Sequence, residues 1–353
     1  MYSPRPFLRI PESDGDWVRK ALLTANLLDK DFRIESRDGM LFIPLRHEVE
    51  HERIREILGV VAFETGRKDF DPLSKCPRTL KDALAGTMGA EQMALLPRAY
   101  DMVGDIAVLE LPEEIASYGK QIGEAFLAVH SSFMTVLAKR GAVSGTSRTR
   151  QYEFLAGQRK TKTVHTEYGC RIAVDLAKAY FSPRLLEEHS RIAKQVNDDE
   201  LIIDMFTGVG CFPLHITRAH DSRVVAIDIN PDAIRLLRES MSMNRLRGEI
   251  VPVVADSGVY VRANFFKNAD RIIMNHPSGA LEFVSEACHA IRDNGVIHYH
   301  AFTGADNSDE EMIEKVTQVI SKSGRDLVEI AQLKRVRESA PHEYQMVADL
   351  IIR

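Results

Sequence analysis

Cysteine is thin in this chain. Its four, Cys76, Cys170, Cys211 and Cys288 in 353 residues, stand too far apart to build a Cys-x-x-Cys or Cys/His metal spacing, so reduced buried thiols are expected and no metal. Long apolar runs are missing as well. None approaches the roughly 18 to 20 residues that a membrane-spanning helix requires, and the residues after Met1 to Pro6 alternate polar with apolar instead of forming an apolar signal core. The expectation is a cytoplasmic protein with no membrane partner. No internal repeat or low-complexity tract is evident, which sets repeat architectures aside. Charge of one sign is also missing overall: 46 Lys and Arg against 51 Asp and Glu leave −5, no general pull toward nucleic acid.

What is present is an ordinary globular composition, 44% hydrophobic and 27% charged, in a chain longer than one hydrophobic core usually serves. Two or three domains are expected. The charge is uneven. From Lys139 to Arg184 ten Lys or Arg face three acids, a local balance of +7 that suits a solvated face and an anionic substrate equally well.

Three segments can be read. In residues 1–64, Phe7 to Ile10 alternates like a strand, Asp14 to Ala25 has helical spacing, and Phe32 to Pro44 reads as two strands joined at Asp38-Gly39. That is an accessory α+β module. The polar stretch 65–78 reads as a linker. In 79–180, Asp105 to Pro112 is a strand, Ile115 to Leu137 a helix, and Tyr152 to Asp175 short strands broken at Ala156-Gly157 and Tyr168-Gly169. In 181–353, strands (Leu201 to Phe206, Val224 to Asp228, Ile250 to Val254, Arg271 to Met274, Gly295 to Phe302) alternate with helices (Pro231 to Met243, Ala280 to Ile291, Asp309 to Ser321). This rhythm predicts a doubly wound α/β domain with a mostly parallel sheet, closed by Asp326 to Arg335 and an antiparallel Tyr344 to Ile352.

The chemistry concentrates at strand ends. Asp204-Met205-Phe206-Thr207-Gly208-Val209-Gly210 follows an apolar strand and opens a helix, so Gly208 and Gly210 let the backbone pass close to a ligand. A third glycine, as in Gly-x-Gly-x-x-Gly, is lacking: Pro213 stands there, which disfavours a pyrophosphate. Asp228 ends the next strand, placed to accept both hydroxyls of a ribose, and Asp256 ends the third, beside an adenine. A nucleoside pocket without phosphate fits S-adenosylmethionine better than NAD. Asn275, in Met274-Asn275-His276-Pro277, puts an amide where it can donate to and accept from a base edge. No cysteine accompanies it, so carbon-5 methylation of a pyrimidine through a cysteine nucleophile is not expected. Arg184 and Glu188 lie one helical turn apart and could face one pocket.

Over nearly its whole length the chain resembles the archaeal and eukaryotic tRNA guanine-N1 methyltransferases that modify the guanosine at position 37. The likeness rests on Leu27-Leu28-Asp29-Lys30-Asp31, the stretch Tyr100 to Ala107, Arg148-Thr149-Arg150, Tyr168-Gly169-Cys170-Arg171, Phe181-Ser182-Pro183-Arg184-Leu185, the stretch Asp204 to Gly210, Asn275-His276-Pro277 and Gly295 to Tyr299. It implies a class I methyltransferase domain preceded by two smaller α+β domains, one touching the tRNA outer corner and one holding the anticodon region; no protein partner is indicated. It further implies Glu188 as general base, Arg148 as the contact to the guanine and Asn275 as its reader. Tyr180, Arg150 and Pro277 are implied around the base. Arg184, Asp204, Phe206, Gly208, Gly210, Asp228, Asp256 and Asn275 are implied around the cofactor. Three positions depart from the family's usual residues: His189 where arginine is usual, His276 where an apolar residue is, and Cys211 where proline is common. A wyosine-pathway enzyme on the same scaffold and an inert tRNA-binding protein are the alternatives.

Overall fold

In the computed structural model, residues 4–72, 77–144, 149–304, 308–340 and 343–353 are described. The chain divides into two compact units, 1–78 and 79–353. The first is an antiparallel sheet of order β2-β3-β1-β4, built from β1 (Arg5–Pro11), β2 (Glu35–Arg37), β3 (Met40–Pro44) and β4 (Glu64–Lys68), with helices α1 (Gly15–Thr24) and α2 (His51–Leu58). Leu8 and Ile10 on β1 bury themselves against Val18, Leu22, Ile54 and Leu58 of the helices. The Asp38-Gly39 turn has φ of 53° and 74°, the left-handed pair that a tight hairpin needs. The linker reading of 65–78 is corrected at its start. Glu64–Lys68 is an edge strand on β1, Phe70 is buried, and Pro72 bridges to Phe32. An edge strand open to solvent needs no apolar alternation, so its sequence looks like a loop.

The second unit opens with α3 (Leu80–Ala83) and α4 (Ala90–Ala94). A four-stranded sheet follows, β5 (Asp101–Val103), β6 (Ile106–Leu109), β7 (Thr135–Ser144) and β8 (Thr149–Gly157), covered by α5 (Gly119–Val129). The expected helix Ile115 to Leu137 is therefore too long. A 3-10 turn occupies Glu113–Tyr118, α5 ends at Val129, and Thr135 already belongs to a strand. Val136 and Leu137 pair in parallel with β6, and that pairing outweighs the helical spacing. The hairpin of β9 (Lys162–Glu167) and β10 (Cys170–Asp175) turns at Tyr168-Gly169, with φ of 44° and 81°.

The remaining elements are α6 (Leu186–Gln195), β11 (Leu201–Asp204), α7 (Cys211–Ala219), β12 (Arg223–Asp228), α8 (Pro231–Met243), β13 (Glu249–Val254), α9 (Ser257–Asn264), β14 (Ala269–Met274), α10 (Val284–Ala290), β15 (Ile291–Thr303), α11 (Ser308–Lys322), β16 (Leu327–Ala340) and β17 (Glu343–Ile352). Their sheet has the order β13-β12-β11-β14-β15-β17-β16. The first five strands run parallel, and β17 is antiparallel to both neighbours. Ile203, Ile227, Ile272 and Ile297 carry the apolar pattern of strands buried on both faces. A second core joins Val103, Ile106 and Val108 to Ile172, Val174, Leu236 and Leu237, which is why 79–353 holds together as one unit.

Candidate active site

The strand order reverses between β11 and β14, and in an open parallel sheet that reversal leaves a crevice at the carboxyl ends of the strands. A cavity lies there. Phe206, Thr207 and Gly208 line it from the β11 turn, Asp228 from β12, Asp256 and Ser257 from the start of α9, and Asn275, His276 and Pro277 from the end of β14. Each polar group is fixed by the backbone behind it. Asp228 Oδ2 accepts the Gly208 N–H at 2.7 Å and Oδ1 the Asn230 N–H at 2.8 Å. An ionised carboxylate has about four acceptor sites, so two remain for a diol. Burial pushes the Asp228 carboxyl up, against the pull of those two amides. Asp256 caps α9 through Oδ1, on the Val259 N–H at 2.9 Å. The buried Ser257 Oγ beside it has no hydrogen-bond partner among the described residues. Phe206 is flanked by His276 at 4.9 Å and Phe283 at 5.0 Å, ring centre to ring centre.

A chain of side-chain hydrogen bonds also lines the cavity. Arg337 of β16 donates to the Tyr180 hydroxyl at 3.2 Å, to Ser182 Oγ at 3.1 Å and to Gln345 Oε1 at 2.9 Å. Gln345 of β17 then donates to Asn275 Oδ1 at 3.2 Å. Tyr180, Ser182, Asn275, Arg337 and Gln345 all line the cavity. Arg337 and Gln345 escaped the reading of the sequence, because they come from a hairpin far down the chain that carries no motif. Gln345 left one signal: it is a buried amide in a mostly apolar strand, which also carries Glu343 and Asp349.

Other expected residues stand off the cavity. Glu188 is buried on α6 and outside the lining, to which Leu185, just before that helix, and His189 on it both contribute. Its carboxylate is clasped by Arg191, with Nε on Oε2 at 2.8 Å and Nη2 on Oε1 at 2.6 Å. Burial pushes the carboxyl up, but the Arg191 guanidinium outweighs it and holds Glu188 below the usual range. Arg191 also reaches Asp349 at 2.6 Å, and His300 stands 3.9 Å from Glu188. Arg184 does not meet Glu188. It turns the other way and binds Asp101 at 2.8 Å. Asp204 lies wholly buried under the β11 turn, where burial pushes its carboxyl up to about 7 against the pull of Thr207 and the Phe206 amide. Gly210 caps α7 at φ 87° and packs on Leu237. Arg150, on β8, is half-buried and outside the cavity lining, and Arg148 lies outside the described residues.

Likeness to known proteins follows the same plan. Residues 163–329 match the TRM5/TYW2 methyltransferase domain, 80–161 the TYW2 N-terminal domain and 8–54 the tRNA methyltransferase 5 N-terminal domain. The two larger matches meet near residue 162, ahead of the 180/181 boundary expected from the sequence. The chain is 33% identical over 342 residues, 97% of each chain, to the tRNA (guanine(37)-N(1))-methyltransferase Trm5b of Pyrococcus abyssi. To the tRNA(Phe) (4-demethylwyosine(37)-C(7)) aminocarboxypropyltransferase of Pyrococcus horikoshii it is 31% identical over 271 residues, 77% of this chain and 95% of that one. Among solved structures, the complex of aTrm5 and tRNALeu is similar with a TM-score of 0.77 at 33% identity, covering 98% of this chain and 99% of that one. The TYW2 of M. jannaschii, similar with a TM-score of 0.56 at 26% identity over 72% of this chain and 99% of that one, was solved in complex with AdoMet. With a likeness that runs nearly the length of the chain, this protein belongs to the tRNA (guanine(37)-N(1))-methyltransferase family of the TRM5/TYW2 group.

Proposed function

We propose that the protein methylates N1 of the guanosine at position 37 of tRNA. The observation that carries this reading is the cavity itself. Its lining combines a carboxylate with two acceptor sites to spare (Asp228) with an amide, a hydroxyl and a guanidinium (Asn275, Tyr180 and Arg337). S-adenosylmethionine, when bound, supplies a methyl group on a positively charged sulfur. The residues that would hold it are Asp228, Asp256, Ser257, Phe206 and Gly208.

The chain's own work is on the guanine. A base turned out of the anticodon loop would pack against Tyr180 and Pro277, with its edge read by Asn275. Guanine N1 carries a proton and is a poor nucleophile until that proton leaves. Glu188 is the acceptor proposed for it, a general-base contribution of roughly 100- to 10,000-fold. The Arg191 clasp keeps Glu188 ionised, as a base must be, and the clasp has to loosen on the cavity side when tRNA binds. As N1 loses its proton, charge builds on O6, and Arg148 and Arg337 are the cations proposed to meet it.

Residues 1–64 are proposed to touch the tRNA outer corner and 79–180 to hold the anticodon region, in the cytoplasm. The match to the aminocarboxypropyltransferase covers 77% of the chain, whereas that to the guanine methyltransferase covers 97%, and this favours methyl transfer. The test is incubation with labelled S-adenosylmethionine and two unmodified tRNA transcripts, guanosine or adenosine at position 37, followed by nucleoside mass analysis. One methyl on N1 of guanosine, absent from the adenosine transcript, is expected. A gain of the mass of an aminocarboxypropyl group, or cofactor binding with no product, would overturn it.

A further inference from the structure

Away from the proposed chemistry, three histidines from three elements converge on one carboxylate. Glu167 ends β9, His165 precedes it by two residues on the same face, His189 comes from α6 and His215 from α7. The carboxylate is fully buried, and the His189 and His215 side chains are 3% and 5% exposed. His189 Nδ1 stands 2.8 Å and His215 Nε2 3.2 Å from Glu167 Oε2. The three donor atoms lie within 4.8 Å of one another. Glu167 Oε1 is buried without a hydrogen-bond partner among the described residues.

His165 has a different part. Its Nδ1 accepts the Gly104 N–H at 3.1 Å, so the proton of the neutral ring sits on Nε2, which faces Glu167 Oε1 at 3.7 Å. It cannot offer that nitrogen to a cation. The other two histidines can. Each is held by one ring nitrogen at the carboxylate, and moving the proton to the far nitrogen frees the near lone pair without any proton leaving the protein.

We propose that Glu167, His189 and His215 form a binding site for a divalent transition cation of the zinc type. Two imidazoles and a carboxylate are a zinc donor set, and the edge of a tetrahedron with zinc–ligand bonds of about 2.1 Å is roughly 3.4 Å, so the two nitrogen–oxygen pairs, at 2.8 and 3.2 Å, need open by only roughly 0.2 to 0.6 Å to admit the ion. Because His189 lines the cofactor cavity, the cation would stand behind the cavity wall and brace β9, α6 and α7 beneath it.

The experiment uses the full-length protein purified without a histidine tag, treated with a chelator and titrated with Co²⁺ followed by visible absorption, with Zn²⁺ content measured by mass spectrometry. Expected are uptake of one equivalent, visible bands of a low-coordinate cobalt site, and a rise in melting temperature on reloading. In His215→Gln and in Glu167→Gln each of these should be lost. Absence of uptake by the wild-type protein overturns the proposal and leaves a hydrogen-bonded cluster. Equal uptake by a folded His215→Gln protein overturns it too, so the test stands even where Glu167→Gln fails to fold.

Discussion

Glu188 shows how far a single side chain is defined by its neighbours. The carboxylate proposed as base is buried, ionised and doubly bonded to Arg191. Glu188→Gln is expected to lower single-turnover methylation by roughly 100-fold or more while tRNA affinity changes little, because Arg191 keeps its bonds to Asp349. Unchanged turnover would remove Glu188 from the mechanism. Asp204 has the opposite environment, with its carboxyl at about 7 in the folded chain against an ordinary 3.8. A folded-state value above the unfolded one means that the folded protein binds the proton more tightly. Any penalty is therefore absent below the unfolded value and grows as pH rises from about 4 through about 7. Asp204→Asn, which keeps the shape and removes the charge, should gain stability relative to the wild type between pH 5 and pH 8, by at most on the order of 4 kcal/mol. Melting curves at the two pH values check this, and a difference that is flat with pH would refute it.

At the scale of the element, the β11–α7 turn combines two glycines with different duties. Gly208 (φ 54°) has open space around it: an added Cβ would meet only the Tyr180 carbonyl oxygen, at 3.9 Å. Gly210 (φ 87°) sits against Leu237, with which an added Cβ would collide. Gly208→Ala should then cost only the left-handed backbone strain, roughly 1–2 kcal/mol. Gly210→Ala adds a clash in the core and should cost about 1–3 kcal/mol more. Thermal melts of the two variants decide the order, and equal losses would show that backbone strain alone matters. The turn was legible from its glycines and the apolar strand before it. The β4 edge strand and the end of α5 were not, because edge pairing and the β6–β7 ladder leave weak local marks.

On the scale of the molecule, five of the ten cations between Lys139 and Arg184 prove to be paired with acids of the protein itself. Lys139 and Arg184 share Asp101, Arg140 pairs with Glu153, Lys160 with Asp105 and Lys162 with Glu239. The segment's net count therefore overstates the field it offers to a phosphate backbone. Units 1–78 and 79–353 each have their own core. Removing residues 1–78 should leave a folded protein that binds S-adenosylmethionine with unchanged affinity but discriminates less among tRNAs. Calorimetry with the cofactor and competition between transcripts test this; loss of cofactor binding would show that the second unit depends on the first.

The sequence by itself determined the doubly wound sheet, the turn at Gly208, and the acids at Asp228 and Asp256, because strand periodicity and strand-end residues are local properties of the chain. Only the tertiary structure decided that Arg184 and Glu188, one helical turn apart, face different partners, since each side chain follows the charge nearest to it in space. It also decided that Arg337 and Gln345 complete the cavity, and that His165, Glu167, His189 and His215 meet. Those groups lie tens to more than a hundred residues apart or on different elements, and only the packing of the sheet and its helices brings them within bonding distance.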